Sequence, residues 1–439
     1  MNAFQFNRVY QKTLIFFCLY SMVSVLPMQA EELAAIAEQN LKQNQKTLDD
    51  CSKVIAFDPK NALAYCTRAG SYRRLGQYQK AIDDYMKALD IDPKFALAYS
   101  GRGSTYEKLG QYQKTIDDCS KAIELDPTMA RAYRHRGFAY AKTGQYEKAI
   151  DDSSKSIELD AKHPLAYCSR GIGYEQLGQS QKAVDDFTKA IELDQKEALA
   201  YRFRARAYNE LGLYDKAIKD CSKAIEIEPN NTYAFSNRAD AYWRLGECDK
   251  AVRDYTKSIT LDPKHALAYS GRALVYAELS QYQKAAADYT KAIALNHVYM
   301  TYCGRALAYE GLKQYKNVIA DCTKAIELDK KGAVAYYARG KAYRKLAIYQ
   351  KAISDYSKAI ELNPKDVLSY CGRAMANEHL KQYQKAIDDY SKAIELNSDD
   401  PRLYFGRSIV YEKSGKHSLS LKDKAKAKEL VDKLESMPK

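Results

Sequence analysis

The sequence has few of the residues from which active sites and metal centres are usually built. It contains six His in 439 residues, and they occur in no recurring arrangement. Neither a Cys-x-x-Cys pair nor a His-Glu-x-x-His motif is present, and there is no Gly-rich phosphate loop, dinucleotide fingerprint or nucleophile elbow. We therefore predict a protein that is not an enzyme, has no small-molecule substrate, and holds neither a cofactor nor a metal ion.

Long apolar runs are also scarce, with one exception near the N-terminus. Thr13–Leu26 is uncharged and apolar, and it follows Arg8 and Lys12. With about 14 residues it is shorter than the roughly 20 that cross a bilayer, and a basic start, an apolar core and a small residue at the end are typical of a secretory signal. We predict that residues 1–30 are a signal peptide for export to the periplasm or cell envelope. An uncleaved segment that anchors the chain to the membrane is the alternative.

What the chain has in place of motifs is a repeat of about 34 residues. A degenerate repeat at residues 31–61 is predicted to cap the array, and eleven full repeats follow. They begin at Ala62, Ala96, Ala130, Pro164, Ala198, Thr232, Ala266, Tyr299, Ala333, Val367 and Pro401. Such a period is typical of a solenoid, in which each repeat packs only on its neighbours. No linker rich in Pro, Gly or Ser interrupts residues 62–415, so we expect one continuous array there.

Fixed positions within the repeat predict a helix–turn–helix hairpin. Counting each repeat from its first residue, position 4 is aromatic, position 8 is small in most repeats, position 11 is mostly Tyr and position 27 is Ala or Ser. Positions 4, 8 and 11 share one helical face, as do positions 17, 20, 24 and 27. The frequent Gly at position 15 suits a left-handed residue that ends a helix, and Pro at position 32 stops the second helix.

These positions resemble those of the tetratricopeptide repeat (TPR) family over residues 62–434. The resemblance implies an all-α fold, a right-handed superhelical solenoid of stacked antiparallel helix pairs whose first helices line a concave groove. It also implies protein or peptide binding, and no catalysis. The Lys-rich C-terminal residues 416–439 are predicted to form a helix that caps the open end, as solenoids require for solubility.

Two charged residues recur in every full repeat, Arg at position 7 and Asp at position 23. The Arg residues are Arg68, Arg102, Arg136, Arg170, Arg204, Arg238, Arg272, Arg305, Arg339, Arg373 and Arg407. Because a guanidinium binds a carboxylate through two parallel hydrogen bonds, we predict partly buried Arg–Asp pairs between the two helices. Whether each pair forms within a repeat or between neighbours stays open, and a row of Arg that binds acidic ligands is the alternative.

The cysteines and the net charge fit a structural interpretation better than a chemical one. Nine Cys beyond Cys18 fall on repeat positions without regular pairing, which predicts small buried residues rather than disulfides or zinc ligands. The net charge is +13, and much of it comes from Lys at positions 19 and 26. These Lys residues have acidic neighbours three or four residues away, as on a solvated helix surface.

Function is expected where the repeats differ, on the groove face of the first helix at positions 2, 5, 6, 9, 12 and 13. The candidate partner-binding residues are Arg73, Arg74, Arg131, Arg134, Arg202, Phe203, Arg206, Tyr233, Trp243 and Arg244. Trp243 is the strongest of them, because Trp and Arg are enriched at binding hot spots. The alternative for Trp243 is a ring that fills a gap against the next helix.

The sequence therefore predicts a scaffold that binds an extended or acidic segment of another protein in its groove. A helical-repeat protein that binds nucleic acid through a basic groove is the alternative. The predicted export signal argues against it.

Overall fold

The computed structural model describes residues 38–435, and the side chains of residues 38–433. The predicted signal peptide, the anchor that is its alternative, and Cys18 lie outside these residues. The part of the chain that is described consists of helices and short turns and contains no strand. It divides into two compact units, the N-terminal unit (from residue 38 to Ala207) and the C-terminal unit (from Tyr208 onward).

The helices follow the 34-residue period. The first helix, α1, covers residues 38–57 without interruption. The first helices of the full repeats are α2 (Ala62–Arg74), α4 (Ala96–Lys108), α6 (Ala130–Lys142), α8 (Pro164–Gln176), α10 (Ala198–Glu210), α12 (Thr232–Arg244), α14 (Ala266–Glu278), α16 (Tyr299–Gly311), α18 (Ala333–Lys345), α20 (Val367–His379) and α22 (Pro401–Lys413). The second helices are α3 (Tyr78–Ile91), α5 (Tyr112–Leu125), α7 (Tyr146–Leu159), α9 (Ser180–Leu193), α11 (Tyr214–Ile227), α13 (Cys248–Leu261), α15 (Tyr282–Leu295), α17 (Tyr315–Leu328), α19 (Tyr349–Leu362), α21 (Tyr383–Leu396) and α23 (His417–Glu435). The predicted all-α fold of paired helices is confirmed.

The turn inside each hairpin depends on a left-handed residue at position 15. In seven repeats this residue is Gly, with φ between 71° and 77°. In the other four it is Ser280, Lys313, Ala347 or Lys381, with φ between 57° and 60°. The prediction for position 15 is therefore confirmed, and it extends to repeats in which the residue has a side chain.

The end of the second helix is illustrated by α3, where Asp92 at position 31 is followed by Pro93. Asp92 has φ −129° and ψ 95°, the extended conformation expected before Pro93. Its carboxylate accepts a hydrogen bond from the backbone N–H of Lys94 at 3.0 Å. This local bond gives the backbone a turn in place of a further helical turn.

The predicted Arg–Asp pairs are present, and those described below form within a repeat rather than between neighbours. Nε and Nη2 of Arg136 donate to the two carboxylate oxygens of Asp152 at 2.7 and 2.8 Å. The Arg136 side chain is 19% exposed and that of Asp152 10% exposed, so the pair is partly buried, as predicted. Equivalent pairs join Arg68 to Asp84, Arg102 to Asp118, Arg170 to Asp186, Arg238 to Asp254, Arg272 to Asp288, Arg305 to Asp321, Arg339 to Asp355, Arg373 to Asp389 and Arg407 to Asp423.

The same guanidinium also ties each repeat to the one before it. Nη1 of Arg136 donates to Oγ of Ser120, at position 25 of the preceding repeat, at 3.0 Å. Arg339 makes the same bond to Thr323 at 3.0 Å. The Arg at position 7 thus crosslinks the two helices of its own repeat and, where position 25 of the preceding repeat is Ser or Thr, also the second helix of that repeat. These contacts explain why the residue does not vary.

Packing between successive repeats depends on the volumes at positions 24 and 6. A Cβ added to Gly101, at position 6, would lie 2.5 Å from the ring of Tyr85, at position 24 of the preceding repeat. Gly406 stands in the same relation to Tyr390, at 2.6 Å. Where position 24 is the smaller Cys322, position 6 of the next repeat is Ala338, and both belong to one buried cluster. A Tyr ring at position 24 thus faces Gly at position 6 of the next repeat, whereas Cys322 leaves room for a side chain.

The final helix, α23, is the second helix of the last pair and departs from this pattern. Its position 24 is Lys424, whose Nζ lies 3.2 Å from Glu412. A charge therefore stands where other repeats present a packing side chain to the next repeat. None of the described helices is both long and apolar enough to cross a membrane.

Candidate partner-binding surfaces

The first helices line the inner side of each unit. In the N-terminal unit α2 contacts α4, α4 contacts α6 and α6 contacts α8; in the C-terminal unit the series runs from α12 to α20. No two second helices of the described chain contact each other to a similar extent. Each unit therefore curves with its first helices inward, as the resemblance implied.

Side chains at position 12 reach across this inner face to the next first helix. Glu107 on α4 accepts a hydrogen bond from Nδ1 of His135 on α6 at 2.7 Å. Nε2 of His135 faces Nη2 of Arg134 at 3.3 Å, so the ring accepts there. Burial lowers the pKa of His135, which agrees with a neutral ring that donates on one side and accepts on the other.

The inner face of the N-terminal unit is strongly basic. Its basic side chains, which together we call the basic face, are Arg73, Arg74, Lys108, Arg131, Arg134, Lys142, Arg202 and Arg206. Only Glu107 and Glu175 oppose them at the same helix positions within the described residues. The basic charges are crowded: burial lowers the pKa of Arg134, and the charges of Arg131 and Arg73 lower it further.

A second group of basic residues lies around Phe203 on α10. The guanidinium carbons of Arg202 and Arg206 lie 4.4 and 4.9 Å from the centroid of the Phe203 ring. Arg206 also forms a bidentate ion pair with Glu175 on α8. Partial burial lowers the pKa of Lys142 on α6, and the charges of Arg202 and Arg206 lower it further. The three basic residues therefore lie near one another.

The position of Phe203 differs from the groove position that the sequence predicts for it. Its ring is 6% exposed and stacks on Phe187, with centroids 5.7 Å apart and planes 14° apart. Phe203 therefore belongs to the packing between repeats and serves the two Arg as a platform. Little of the ring is left for contact with a partner.

Trp243 lies in the C-terminal unit and is half-buried. Its ring packs against the buried cluster that contains Ala239, Ala251 and Tyr255, and its indole N–H donates to Glu278 on α14. The guanidinium of Arg244 lies 4.5 Å from the ring centroid. The ring therefore contributes to packing, as its alternative interpretation held, and also keeps an exposed edge.

Two carboxylates lie near Trp243, those of Glu278 and Asp240. Asp240 lies one helical turn before it and accepts a hydrogen bond from the Tyr255 hydroxyl. Removal of the carboxylate from water raises the pKa of Asp240, and the negative charge of Glu210 raises it further. Part of the Asp240 residue nevertheless remains exposed to solvent. This surface favours a cationic or neutral group over an acidic one.

Tyr233 is the remaining candidate in the C-terminal unit, and it lies over a buried polar group. Its ring centroid is 4.7 Å from that of His265, and half of the residue is exposed. Nδ1 of His265 lies 2.9 Å from Oγ of Ser258, and this Oγ lies 2.9 Å from Oγ of Ser236. Burial lowers the pKa of His265. His265, Ser258 and Ser236 are buried, so this cluster contributes to the packing between repeats.

The sequence analysis missed an exposed apolar surface on the inner side of the C-terminal unit. We call it the apolar face; it consists of Leu267, Leu274, Met300, Leu307, Val334, Leu368, Met375 and Phe405. Every one of these side chains except Phe405 stands at position 2 or 9 of its repeat. Position 2 is apolar in most repeats of both units, so the sequence pattern alone does not mark these residues as exposed.

The nine cysteines that the structure describes are free and mostly buried, as predicted. Burial raises the pKa of Cys66 to about 11, and it also raises that of Cys119. Thiols with raised pKa values are poor nucleophiles and poor metal ligands. No group of His, Cys, Asp or Glu within the described residues has the geometry to hold a metal ion.

Family models match the chain in consecutive blocks. A model described as TPR repeat matches residues 69–110 and 205–246. Models described as tetratricopeptide repeat match residues 51–83, 96–129, 128–196, 236–296, 301–331, 333–366 and 367–400. Together with the helix pairs and their fixed positions, these matches show that the chain belongs to the tetratricopeptide repeat family. No curated protein matches its sequence.

Solved structures with similar folds include the Cut9–Hcn1 hetero-tetramer of the APC/C, at 16% identity and a TM-score of 0.49 over 89% of this chain and 90% of that one. Yeast Tom70 is similar at 16% identity and a TM-score of 0.39, over 85% of this chain and 92% of its own. YrrB, described as a TPR protein with an unusual peptide-binding site, has 23% identity and a TM-score of 0.34, over 42% of this chain and 95% of its own. These likenesses identify no partner.

Proposed function

We propose that this protein is a non-enzymatic scaffold that binds an extended, acidic segment of another protein on the basic face. Proteins of the TPR family bind other proteins, and they generally act as scaffolds without catalysis. The observation that carries the acidic partner is the excess of Lys and Arg over Glu on the inner side of the N-terminal unit. Like charges held together by packing repel one another, and a partner that brings carboxylates relieves that repulsion.

The geometry favours contacts with Arg131, Arg134 and Arg73 over contacts with the second candidate cluster. Arg131 is exposed, Arg134 and Arg73 are partly buried, and none of the three has a carboxylate at ion-pair distance within the described residues. By contrast, Arg206 is already paired with Glu175, and Trp243 lies among carboxylates. We therefore place the acidic segment on α2 and α6 and assign Trp243 no role in holding it.

The test is a titration of the full chain with a fluorescent Glu-rich peptide, followed by anisotropy at low and high salt. Arg131→Gln and Arg134→Gln should each weaken binding by about 1 kcal/mol, as expected for charged contacts at an interface. Lys87→Gln is the matched control, because it removes the same charge from the outer face of α3, where the Lys87 side chain is 65% exposed.

Three outcomes would contradict the proposal. The peptide fails to bind, or Lys87→Gln weakens binding as much as Arg131→Gln, or single-stranded nucleic acid binds more tightly than the peptide. The last outcome would favour the nucleic-acid alternative. In that case the logarithm of the binding constant should fall with the logarithm of the salt concentration, at a slope of roughly −0.7 for each phosphate neutralised.

We also propose that the protein is exported, with residues 1–30 removed as a signal peptide. The support is the basic start and apolar run of the sequence, which lie outside the described residues. Cell fractionation combined with the intact mass of the recovered chain tests this. Export is supported if the chain recovered from the periplasmic or envelope fraction has the mass expected when residues 1–30 have been removed. The membrane anchor is supported if the full-length chain is found in the membrane fraction. A full-length chain in the cytoplasm rejects both.

A further inference from the structure

The first described helix, α1, packs on the repeat that follows it in the manner of a second helix. Counted back from the first full repeat, it carries positions 11 to 30 of the degenerate repeat. Leu48 and Cys51, at positions 21 and 24, are buried. Nη1 of Arg68 on α2 donates to Oγ of Ser52, at position 25, at 3.1 Å, which is the bond that Arg136 makes to the repeat before it. One side of α1 is therefore fixed against α2.

The other side of α1 has no first helix against it within residues 38–435. In the full repeats a left-handed residue at position 15 ends the first helix, as Gly144 does. The equivalent residue of the degenerate repeat is Lys42, and α1 runs through it from residue 38 to residue 57 without a turn. Positions 11 to 14, which close the first helix elsewhere, are therefore part of α1 itself. The side that a first helix covers in the full repeats lies open.

Three positions on this side, 20, 23 and 27, are buried in every full repeat. We call this side the open face of α1; it consists of Thr47, Asp50, Val54 and Phe57, at positions 20, 23, 27 and 30, which share one helical face. Val54 is 43% exposed, whereas the residue at position 27 is at most 7% exposed in the full repeats. The Asp50 side chain is 58% exposed, against 9% for Asp84, and Phe57 is 93% exposed. Packing positions of the array are thus open to a partner here.

The full repeats show what covers this side of a second helix. In the third repeat, a Cβ added to Gly137, at position 8, would lie 3.3 Å from the carbonyl oxygen of Ala149 and from Cβ of Asp152, at positions 20 and 23. Arg136, one residue before Gly137, binds both carboxylate oxygens of Asp152. The guanidinium of Arg136 also lies 5.7 Å from the ring centroid of Tyr133, at position 4. The complement of the face is therefore a helix with an aromatic residue, then Arg three residues later, then a small residue.

Within the described residues, Asp50 lacks the guanidinium that its equivalents bind. It forms one ion pair there, with Nζ of Lys53 at 3.9 Å on the same helix, and the Lys53 side chain is 80% exposed. A guanidinium binds both oxygens of a carboxylate through parallel hydrogen bonds, which a single ammonium group does not. Thr47 also has the hydroxyl with which Thr115, at the same position, donates to the carbonyl of Gly103 on its first helix at 3.1 Å. The shape of the open face of α1 thus selects a helix, and its charge selects an Arg on that helix.

Neither this chain's own preceding residues nor a second copy supplies that helix. In the same register the chain has Glu31 at position 4 and Ala34 at position 7, in place of an aromatic residue and Arg. The first helices of a second copy pack on their own second helices, as α6 does on α7, and their Arg residues bind Asp there. Using one of them would break a pair that is already formed. The complementary helix therefore belongs to another protein.

We propose that the open face of α1 binds a helix of another protein that carries the aromatic-x-x-Arg-small pattern of this chain's own first helices. The Arg of that helix forms the bidentate pair with Asp50, its small residue lies over Thr47 and Asp50, and Val54 and Phe57 add apolar area. Docking of an amphipathic helix on an apolar surface is a common mode of recognition. The site requires a helix with a cationic group, whereas the basic face takes an extended acidic segment, so it goes beyond the proposed function.

The probe is a fluorescent peptide with the sequence of residues 266–279, titrated into the full chain and followed by anisotropy. It carries Tyr269, Arg272 and Ala273 at the required spacing, and the charges of Arg272 and Glu278 cancel, so the basic face does not attract it. The matched peptide has Leu in place of Arg272. The Arg peptide should bind at least tenfold more tightly than the Leu peptide. Equal affinities for the two peptides would overturn the proposal, as would the absence of binding.

Variants locate the site. Asp50→Asn should weaken binding of the Arg peptide at least tenfold and leave the affinity of the Leu peptide unchanged, because only the Arg peptide uses the carboxylate. Asp49→Asn is the matched control and should change the affinity less than twofold, since it removes the same charge from the neighbouring exposed residue, about 100° around the helix. Asp50→Arg should abolish binding of the Arg peptide, and a peptide with Asp in place of its Arg should bind that variant. Circular dichroism checks that each variant keeps its helices.

An equal loss for Asp49→Asn and Asp50→Asn would show that the peptide binds elsewhere and would overturn the proposal. Sedimentation of the unliganded chain tests a second copy as the occupant. Concentration-dependent association that Asp50→Asn abolishes would assign the open face of α1 to self-association instead. The Glu-rich peptide should bind Asp50→Asn as it binds the native chain, because it contacts the basic face, so the two proposals fail separately.

Discussion

The N-terminal and C-terminal units have the same internal framework and different inner faces. In both, Arg at position 7 pairs with Asp at position 23 and reaches a hydroxyl of the preceding repeat, as Arg136 and Arg339 illustrate. The inner side of the first unit is basic, whereas that of the second combines apolar side chains with ion pairs such as Lys341–Glu310. The comparison separates two sets of repeat positions. Packing determines the residues at positions such as 7 and 23, whereas the residues on the inner face of the first helices can vary and contact a partner.

The largest effect is expected where the two units are alike. Replacing the Arg of a pair leaves a buried carboxylate without its partner, which costs about 3 kcal/mol or more. Arg136→Leu in the N-terminal unit and Arg238→Leu in the C-terminal unit should lower stability by similar amounts, because both side chains are less than 20% exposed. Urea unfolding of the full chain, followed by circular dichroism, measures the loss.

The control for this prediction is an exposed ion pair. Lys324→Ala removes the partner of Glu327 on the outer face of α17, where the Lys324 side chain is 60% exposed, and exposed pairs contribute about 0.5 kcal/mol or less. A loss for Arg238→Leu no larger than that of Lys324→Ala would show that the pairs are solvated. Unequal losses at Arg136 and Arg238 would show that the units do not share one framework.

The next effect tests the packing between repeats, which also recurs in both units. Gly101→Ala and Gly406→Ala each place a Cβ against a Tyr ring that is 3% exposed and has no room to move. Overpacking of this kind costs roughly 2 kcal/mol. Urea unfolding should show a similar loss for the two variants.

A double-mutant cycle identifies the cause of that loss. Tyr390→Cys combined with Gly406→Ala recreates the natural pair of Cys322 and Ala338. Gly406→Ala should cost much less in the Tyr390→Cys background than in the native one, a coupling of about 1 kcal/mol or more. Additive losses would mean that the ring is not what excludes a side chain at position 6.

The Trp243→Ala variant tests the difference between the units. The ring is half-buried against Ala239 and Ala251, so its removal should cost about 1.5 kcal/mol of stability, below the 3–5 kcal/mol of a fully buried ring. Binding of a Glu-rich peptide should change less than twofold, because the indole N–H already donates to the carboxylate of Glu278 and Asp240 lies one helical turn away. The melting temperature of the variant measures the change in stability, and peptide anisotropy on the same preparation measures the change in affinity. Arg131→Gln is the control, since it should lose peptide binding. A large loss of peptide binding in Trp243→Ala would move the acidic site into the C-terminal unit.

The period in the sequence predicted the fold closely, and the residues that vary were harder to interpret. Fixed positions gave the helix pairs, the left-handed residue at position 15 and the Arg–Asp pairs, because a repeated environment selects the same residue each time. The partner of each Asp was not predictable, since a pair within the repeat and one between repeats have the same sequence pattern. Phe203 was placed on the surface because its burial depends on Phe187, a neighbour in space that the repeat pattern does not specify.

The candidate site was predicted less well, because the charges near its residues come from parts of the chain that are distant in the sequence. Trp243 and Arg244 have the composition of a hot spot, but Glu278 and Asp240 come from other turns and helices and set the charge that a partner meets. The apolar face was missed because Leu267 and Met300 look like ordinary packing residues in a sequence. Only their exposure separates them from the buried Ala and Tyr at neighbouring positions.

The smallest effect concerns the turn inside the hairpin, where the two units differ again. Position 15 is left-handed in all eleven repeats, and the four side chains that adopt this conformation, Ser280, Lys313, Ala347 and Lys381, all lie in the C-terminal unit. A left-handed backbone costs a residue with a Cβ about 1 kcal/mol relative to Gly. Ala347→Gly should therefore raise stability by about that amount. Gly110→Ala should lower it equally, because an added Cβ meets no atom within 4 Å and the strain comes from the backbone alone. Both predicted changes in stability are measured by comparing the urea unfolding midpoints of the two variants with that of the native chain. A destabilised Ala347→Gly would mean that the flexibility Gly adds to the unfolded chain outweighs the relief of strain, and that the non-Gly turns of the C-terminal unit are not a weakness of that unit.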